Sequence, residues 1–133
     1  MSEIKHYYDS QMKLLALFIP SDYSNSGIEF LTKDEDYQQV ACMSHLAGHV
    51  IAPHYHNQIS RIVDYTCETL ILRKGILAVD LYEDKVPIHS FEMKAGDMIT
   101  LFSGGHGFKV IEDIQMFEIK QGPFMGENDK TRF

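Results

Sequence analysis

The sequence predicts an all-β domain, on three observations. Glycine, proline and short polar clusters break the chain at the roughly 8–12-residue spacing of all-β folds. The runs between the breaks are rich in Val, Ile, Leu, Phe, Tyr and Thr, and the last of them alternate apolar with polar. No window keeps an apolar period of about 3.6 residues over a full helix length. At 133 residues the chain is long enough to bury one core. The reading is a single domain over 1–133, with its core at about 37–121 and a C-terminal tail at 122–133.

The elements follow in order. Residues 2–12, SEIKHYYDSQM, are the one helical candidate. KLLALFI (13–19) is the first strand and stops at Pro20. YQQVACMSHL (37–46) and HVIA (49–52) come next. ETLIL (68–72) and ILAVDLY (76–82) follow, joined by Arg73-Lys74-Gly75. HSFEM (89–93) leads through Lys94-Ala95-Gly96-Asp97 into MITLF (98–102). HGFKVI (106–111) and IQMFEIK (114–120) are separated by a Glu112-Asp113 turn. About nine short strands in one domain point to a β-sandwich or barrel, and a jelly roll is the member of that class that often encloses a site. The tail GPFMGENDKTRF carries Phe124, Met125 and Phe133, so it is expected to be ordered against the barrel or a partner chain.

Charge narrows the function. Nineteen acidic against 12 basic residues leave a net charge of −7, with no Lys/Arg run. That excludes a broad nucleic-acid-binding face. The apolar run LLALFI has six residues, too short for a signal-peptide core or for the roughly 20 residues of a membrane span. A cytoplasmic protein without membrane contact is expected. Cys42 and Cys67 have no metal-like spacing and are read as buried free thiols.

The candidate chemistry begins at GHVIAPHYHN, Gly48 to Asn57. On an extended segment His54 and His56 point to one side. Glu68 shares a strand face with Leu70 and Leu72, where an ionised carboxylate looking into an apolar interior needs a cation. SGGHGF then delivers His106 behind two glycines that allow a sharp turn or a close approach. Three imidazoles and one carboxylate suit a divalent transition metal, Fe, Mn, Zn or Ni. His6, His45, His49 and His89 read as surface or core histidines.

Gly48, His54, His56, Glu68 and Gly75, in that order, resemble the first signature of the cupin superfamily. Gly96, Phe102, Gly104 and His106 resemble the second. The likeness spans about residues 40 to 120. It implies a small jelly-roll barrel, a double-stranded β-helix, with His54, His56, Glu68 and His106 holding a metal inside. The eleven residues between His56 and Glu68 exceed the family's usual spacer. Either a loop is inserted at the barrel mouth or Asp64 is the carboxylate ligand, and the spacing to Gly75 favours Glu68. Phe102 stands where the family usually has proline, and Val110 where it has asparagine.

Such a site would leave positions open on the ion and would favour an anionic or enolisable oxygen ligand. Two chemistries follow: oxidation with dioxygen at Fe(II), or Lewis-acid isomerisation or epimerisation with a general base. His49, Tyr55 and Glu118 are candidates for that base. Arg61 could pair with an anionic substrate. Glu118 and Lys120 alternate with Phe117 and Ile119 and face either solvent or the barrel lumen. The single domain ending in EIKQGPF looks similar to small cupins of bacterial surface-carbohydrate metabolism, which resemble in fold the nucleotide-sugar epimerases and ketoisomerases. The expected function is therefore a metal-dependent enzyme on a small polar metabolite such as a sugar or sugar nucleotide. A non-catalytic metal-dependent binding or sensing module is the alternative, and a metal-free structural cupin a third. Exposed strand edges in such domains pair readily, so a homodimer is expected.

Overall fold

Eight β-strands run through residues 2–133, which the computed structural model describes. They are β1 (Lys5–Tyr8), β2 (Leu14–Ile19), β3 (Gly27–Phe30), β4 (Ala41–Ser44), β5 (Glu68–Glu83), β6 (Val86–Lys94), β7 (Met98–Leu101) and β8 (Gly105–Lys120). The chain divides into two compact units, residues 1–23 with 66–133 and residues 24–65.

Several expected boundaries move. The helical candidate at 2–12 is instead β1 and the turn after it. Its β-favouring tyrosines pair antiparallel with β2. The Asp9 carboxylate accepts the backbone N–H groups of Gln11 and Lys13 and pins the hairpin turn. The expected strand at 37–46 shrinks to β4, HVIA forms no strand, and β3 is a strand the sequence did not mark. The runs 68–72 and 76–82 are one strand, and so are 106–111 and 114–120. Arg73-Lys74-Gly75 and Glu112-Asp113 are therefore irregularities inside a ladder, not connections.

That ladder organises the first unit. The order is β1-β2-β7-β5-β6, with β8 also on β5, and every pairing is antiparallel. The first residues of β5 lie between β7 and β8, and its second half lies between β6 and β8. The change of neighbour coincides with register shifts between Leu72 and Leu77. The buried side chains of β5 are Leu70 and Leu72 before the shift and Leu77, Val79 and Leu81 after it. An extra residue in a ladder inverts the alternation and bends the strand, which is the physical effect of a bulge. Gly75 sits at the bend with φ +87°, and a Cβ there would overlap the Asp113 carbonyl oxygen.

Bent in this way, the sheet packs against itself. Leu70, Leu72, Leu77, Val79, Leu81, Ile99, Leu101, Ala16, Phe18 and Met93 form one buried cluster. At one seam Phe91 of β6 stacks on Tyr7 of β1 at 4.5 Å, and His89 Nε2 donates to the Tyr8 carbonyl at 2.8 Å. The seam is made by side chains, not by a ladder. The result is an all-β, strongly curled half-barrel sheet consistent with a jelly-roll-like fold. The closed barrel expected from the sequence does not form: among the described residues, β8 pairs with β5 alone.

The tail docks in part. Thr66 Oγ1 donates to Asp129 at the 3-10 turn Gly126–Asp129, and the Phe133 ring meets Tyr82 edge-on at 5.1 Å. Phe124 and Met125 stay exposed.

The second unit is a β3–β4 hairpin followed by an irregular segment from residue 45 to 65. Asn25 Nδ2 donates to the Cys42 carbonyl, and Gln39 Nε2 donates to the carbonyls of Lys33 and Asp36. None of residues 24–65 is buried. Neither cysteine is in a disulfide; Cys67 is buried as expected, whereas Cys42 is only half-buried. Among the described residues, no helix is long and apolar enough to cross a membrane.

Gly75→Ala should destabilise the protein by at least about 1–3 kcal/mol, the usual cost of a non-glycine residue held in a sparsely populated backbone region. The overlap with Asp113 adds to it. Urea denaturation measures this; an unchanged midpoint would show that the bend does not depend on glycine.

Candidate functional site

The bend has a chemical consequence. His106 pairs with Leu81, thirteen residues along β5 from Glu68. An extended strand would hold those positions about 40 Å apart. Instead His106 Nε2 donates to Glu68 Oε1 at 2.9 Å. Glu68 is well covered, and His106 is about one-third exposed. Both lie on the face that carries the apolar cluster, since Glu68 precedes Leu70 and Leu72 by even steps and His106 sits across from Leu81.

The last strand completes the group. Lys120 sits across from Glu68, and Glu118 across from Leu70, so both project to the same face. Of the two orientations open from the sequence, this is the inward one. Lys120 Nζ lies 3.9 Å from Glu118 Oε2. Glu118 shares a hydrogen bond with Glu68, and the two carboxyls are driven apart in acidity. The His106 hydrogen bond, helped by Glu118 and Lys120, holds Glu68 well below the usual carboxylate range. Its bond to Glu68, with burial and the Glu68 charge, raises Glu118. One carboxyl therefore stays ionised while its neighbour keeps a proton longer, the pattern that separates an acid from a base.

Gln121 is a member that no sequence pattern indicated. Its Oε1 accepts the N–H of Cys67, one residue before Glu68. Its Nε2 is buried and, among the described residues, has no hydrogen-bond partner, a donor left for a ligand. Burial at a strand end just before Gly122-Pro123 was its only available signal, and composition does not reveal that. The tail lies near the same strand ends. Asp129 is bonded to Thr66, and the Phe133 ring covers Gly105, the neighbour of His106.

The other candidates belong to the second unit. The rings of His54 and His56 are 5.5 Å apart, and His54 Nδ1 is bonded to the Ala52 carbonyl at 2.7 Å. Nε2 is then the nitrogen of His54 left to bind a ligand, an arrangement common among metal-binding histidines. Arg61 and Tyr55 are exposed. Asp64 accepts a hydrogen bond from Tyr37 Oη at 3.1 Å. His45 and His49 stack on each other at 4.0 Å. Among the described residues, no group of three or more His, Cys, Asp and Glu side chains is gathered so that it could hold a metal ion.

A cavity of about 420 Å³ opens elsewhere in the first unit, over Phe18, Ile76 and Met93 with Lys5 and Lys94 at its rim. It contains neither Glu68 nor His106. Its buried carboxylate, Asp97, already accepts the backbone N–H groups of Ser21 and Lys94, which is a turn-forming role. The carboxylate–imidazole group is the better functional candidate, because its polar atoms converge on one point.

No family model, no curated protein and no solved structure matches this chain.

The acidities predict a pH response. Glu68 lies below its ordinary value of 4.5, so its stabilisation is present above that pH and is lost as pH falls through the depressed value. Glu118 is raised, so its contribution is present below 4.5 and is lost as pH rises through the raised value. Glu68→Gln should flatten the acid limb of a stability–pH curve measured by urea denaturation, and Glu118→Gln the opposite limb. Unchanged limbs would show that the pair is not coupled to folding.

Phe133→Ala and truncation after Gly122 should each speed diethyl pyrocarbonate modification of His106 several-fold, with exposed His6 as reference in peptide mass spectra. Equal rates would mean that the tail does not shield the site.

Proposed function

We propose that this chain is a metal-dependent enzyme on a small, anionic, polar metabolite such as a sugar or sugar nucleotide, with Glu68 and His106 as metal ligands. The observation that carries the reading is the 2.9 Å contact between Glu68 Oε1 and His106 Nε2. An imidazole nitrogen and a carboxylate oxygen this close together would be able to hold one cation jointly. The donor types suit Fe, Mn, Zn or Ni. By the order of the cupin-like signature, His54 and His56 complete the ligand set, and the anchored Nδ1 of His54 supports that role.

When bound, the ion supplies Lewis acidity toward a substrate oxygen. The chain's own groups supply the rest. Glu118 is made a weaker acid by the neighbouring Glu68, which suits it to give or take a proton at a carbon or oxygen of the substrate. Lys120 places an ammonium where an anionic group would bind. Gln121 Nε2 offers a buried donor with no partner among the described residues. Proton transfer at an enolisable carbon, hence isomerisation or epimerisation, uses these groups most fully; an Fe-type oxygenation uses the ligands and leaves Glu118 idle. A non-catalytic binding module is the second reading, favoured by the cavity of about 420 Å³ lined by Phe18, Ile76 and Met93 together with Lys5 and Lys94.

Protein purified without chelators should carry about one divalent ion per chain by elemental analysis. Glu68→Gln, His106→Ala and the double change His54→Ala with His56→Ala should each lower that content at least tenfold under chelator challenge. Asp64→Asn should leave it intact. Full metal retention in Glu68→Gln and His106→Ala would refute the assignment. Turnover of a sugar substrate by the loaded protein, lost in Glu118→Gln, separates the enzyme from a binding module.

A further inference from the structure

We propose that residues 46–63 act as an arm that adds as a strand to the outer edge of β8 in a second copy of this chain, reciprocally. The arm carries His54 and His56, so under the metal reading these two ligands would reach the site of the second copy; the exchange itself does not rest on that reading. Two unfinished surfaces on one molecule carry it.

The first is β8. It runs for 16 residues and, among the described residues, has β5 as its only strand neighbour. A sheet edge of that length offers a row of backbone donors and acceptors to another strand. The apolar cluster is incomplete beside it. Phe108 and Val110 sit across from buried Val79 and Leu77 and project to the same face, yet are 38% and 52% exposed. Side chains directed at a core but left half in water mark a missing neighbour.

The second is the arm. Leu46, Val50, Ile51, Tyr55, Ile59 and Ile62 are all exposed, Leu46 to 90% and Ile62 to 83%. Among the described residues, none from 50 to 64 makes a backbone hydrogen bond within a helix, strand or turn. An apolar segment whose backbone pairs with no other backbone is a strand without a sheet. Pro53 is admissible there, because the added strand becomes the new edge.

A second copy is the occupant these features select. Edge and arm are both present on every chain, so one two-fold exchange satisfies each of them twice. Their charges also agree. The arm holds Arg61 and no carboxylate, whereas β8 holds Glu112, Asp113 and Glu118 against Lys109 and Lys120. Together the arm and the β8 edge supply enough residues for the roughly 20–30 a side of a standard interface.

Sedimentation equilibrium with amide hydrogen exchange on the full chain tests this. The wild type should dimerise, with the amides of 50–63 protected in the dimer. Ile59→Asp and Ile62→Asp, at exposed positions, should weaken the dimer at least tenfold and remove that protection. Ile111→Lys on β8 should weaken it likewise. A wild type that is monomeric at every concentration overturns the proposal. So does a monomer with protected arm amides, in which the arm would occupy its own chain. A dimer indifferent to the arm variants, or to Ile111→Lys, places the interface elsewhere and overturns it too.

Discussion

Everything functional in the first unit depends on the bend shared by β5 and β8. Gly75 and the Asp113 carbonyl occupy one small space, and only a residue without Cβ lets the two backbones approach that closely. The bend lets β5 change neighbour from β7 to β6 without ending. It also inverts which residues face inward, so Leu70 and Leu77, of opposite parity, join one core. Without it, Glu68 and His106 would stand at opposite ends of a long flat ladder.

The chemistry at that meeting point follows from burial and company. A carboxylate on an apolar face must be paired, and His106, Glu118 and Lys120 all contribute to keeping Glu68 ionised. The same arrangement makes a second proton unwelcome to leave Glu118. Two adjacent carboxyls with unequal acidity, an ammonium and an unsatisfied amide donor are what proton transfer on an anionic substrate would use.

The sequence made the strand class legible because alternation and breaks are local properties. It also placed Glu68 on the face of Leu70 and Leu72, since that needs only a period of two. It misread Arg73-Lys74-Gly75 and Glu112-Asp113 as connections, because a bulge and a turn use the same residues and differ only in what lies across the ladder. It left residues 2–12 as a helical candidate because the strand character of Lys5–Tyr8 comes from pairing with β2, a tertiary fact. Glu118 and Lys120 could not be assigned a side until the register of β8 against β5 was known. Gln121 was invisible, because its orphaned amide is a matter of burial alone.

Strands that run through both halves of a folded-over sheet leave no boundary at which the halves can part. In a sandwich whose layers are joined by loops, one layer can loosen while the other persists. Here every opening that separates Leu70 from Leu77 must also break the backbone ladder of β5 with β8. The first unit should therefore behave as one cooperative block, and its slowest-exchanging amides should follow the length of β5 through the bend, not cluster in either half.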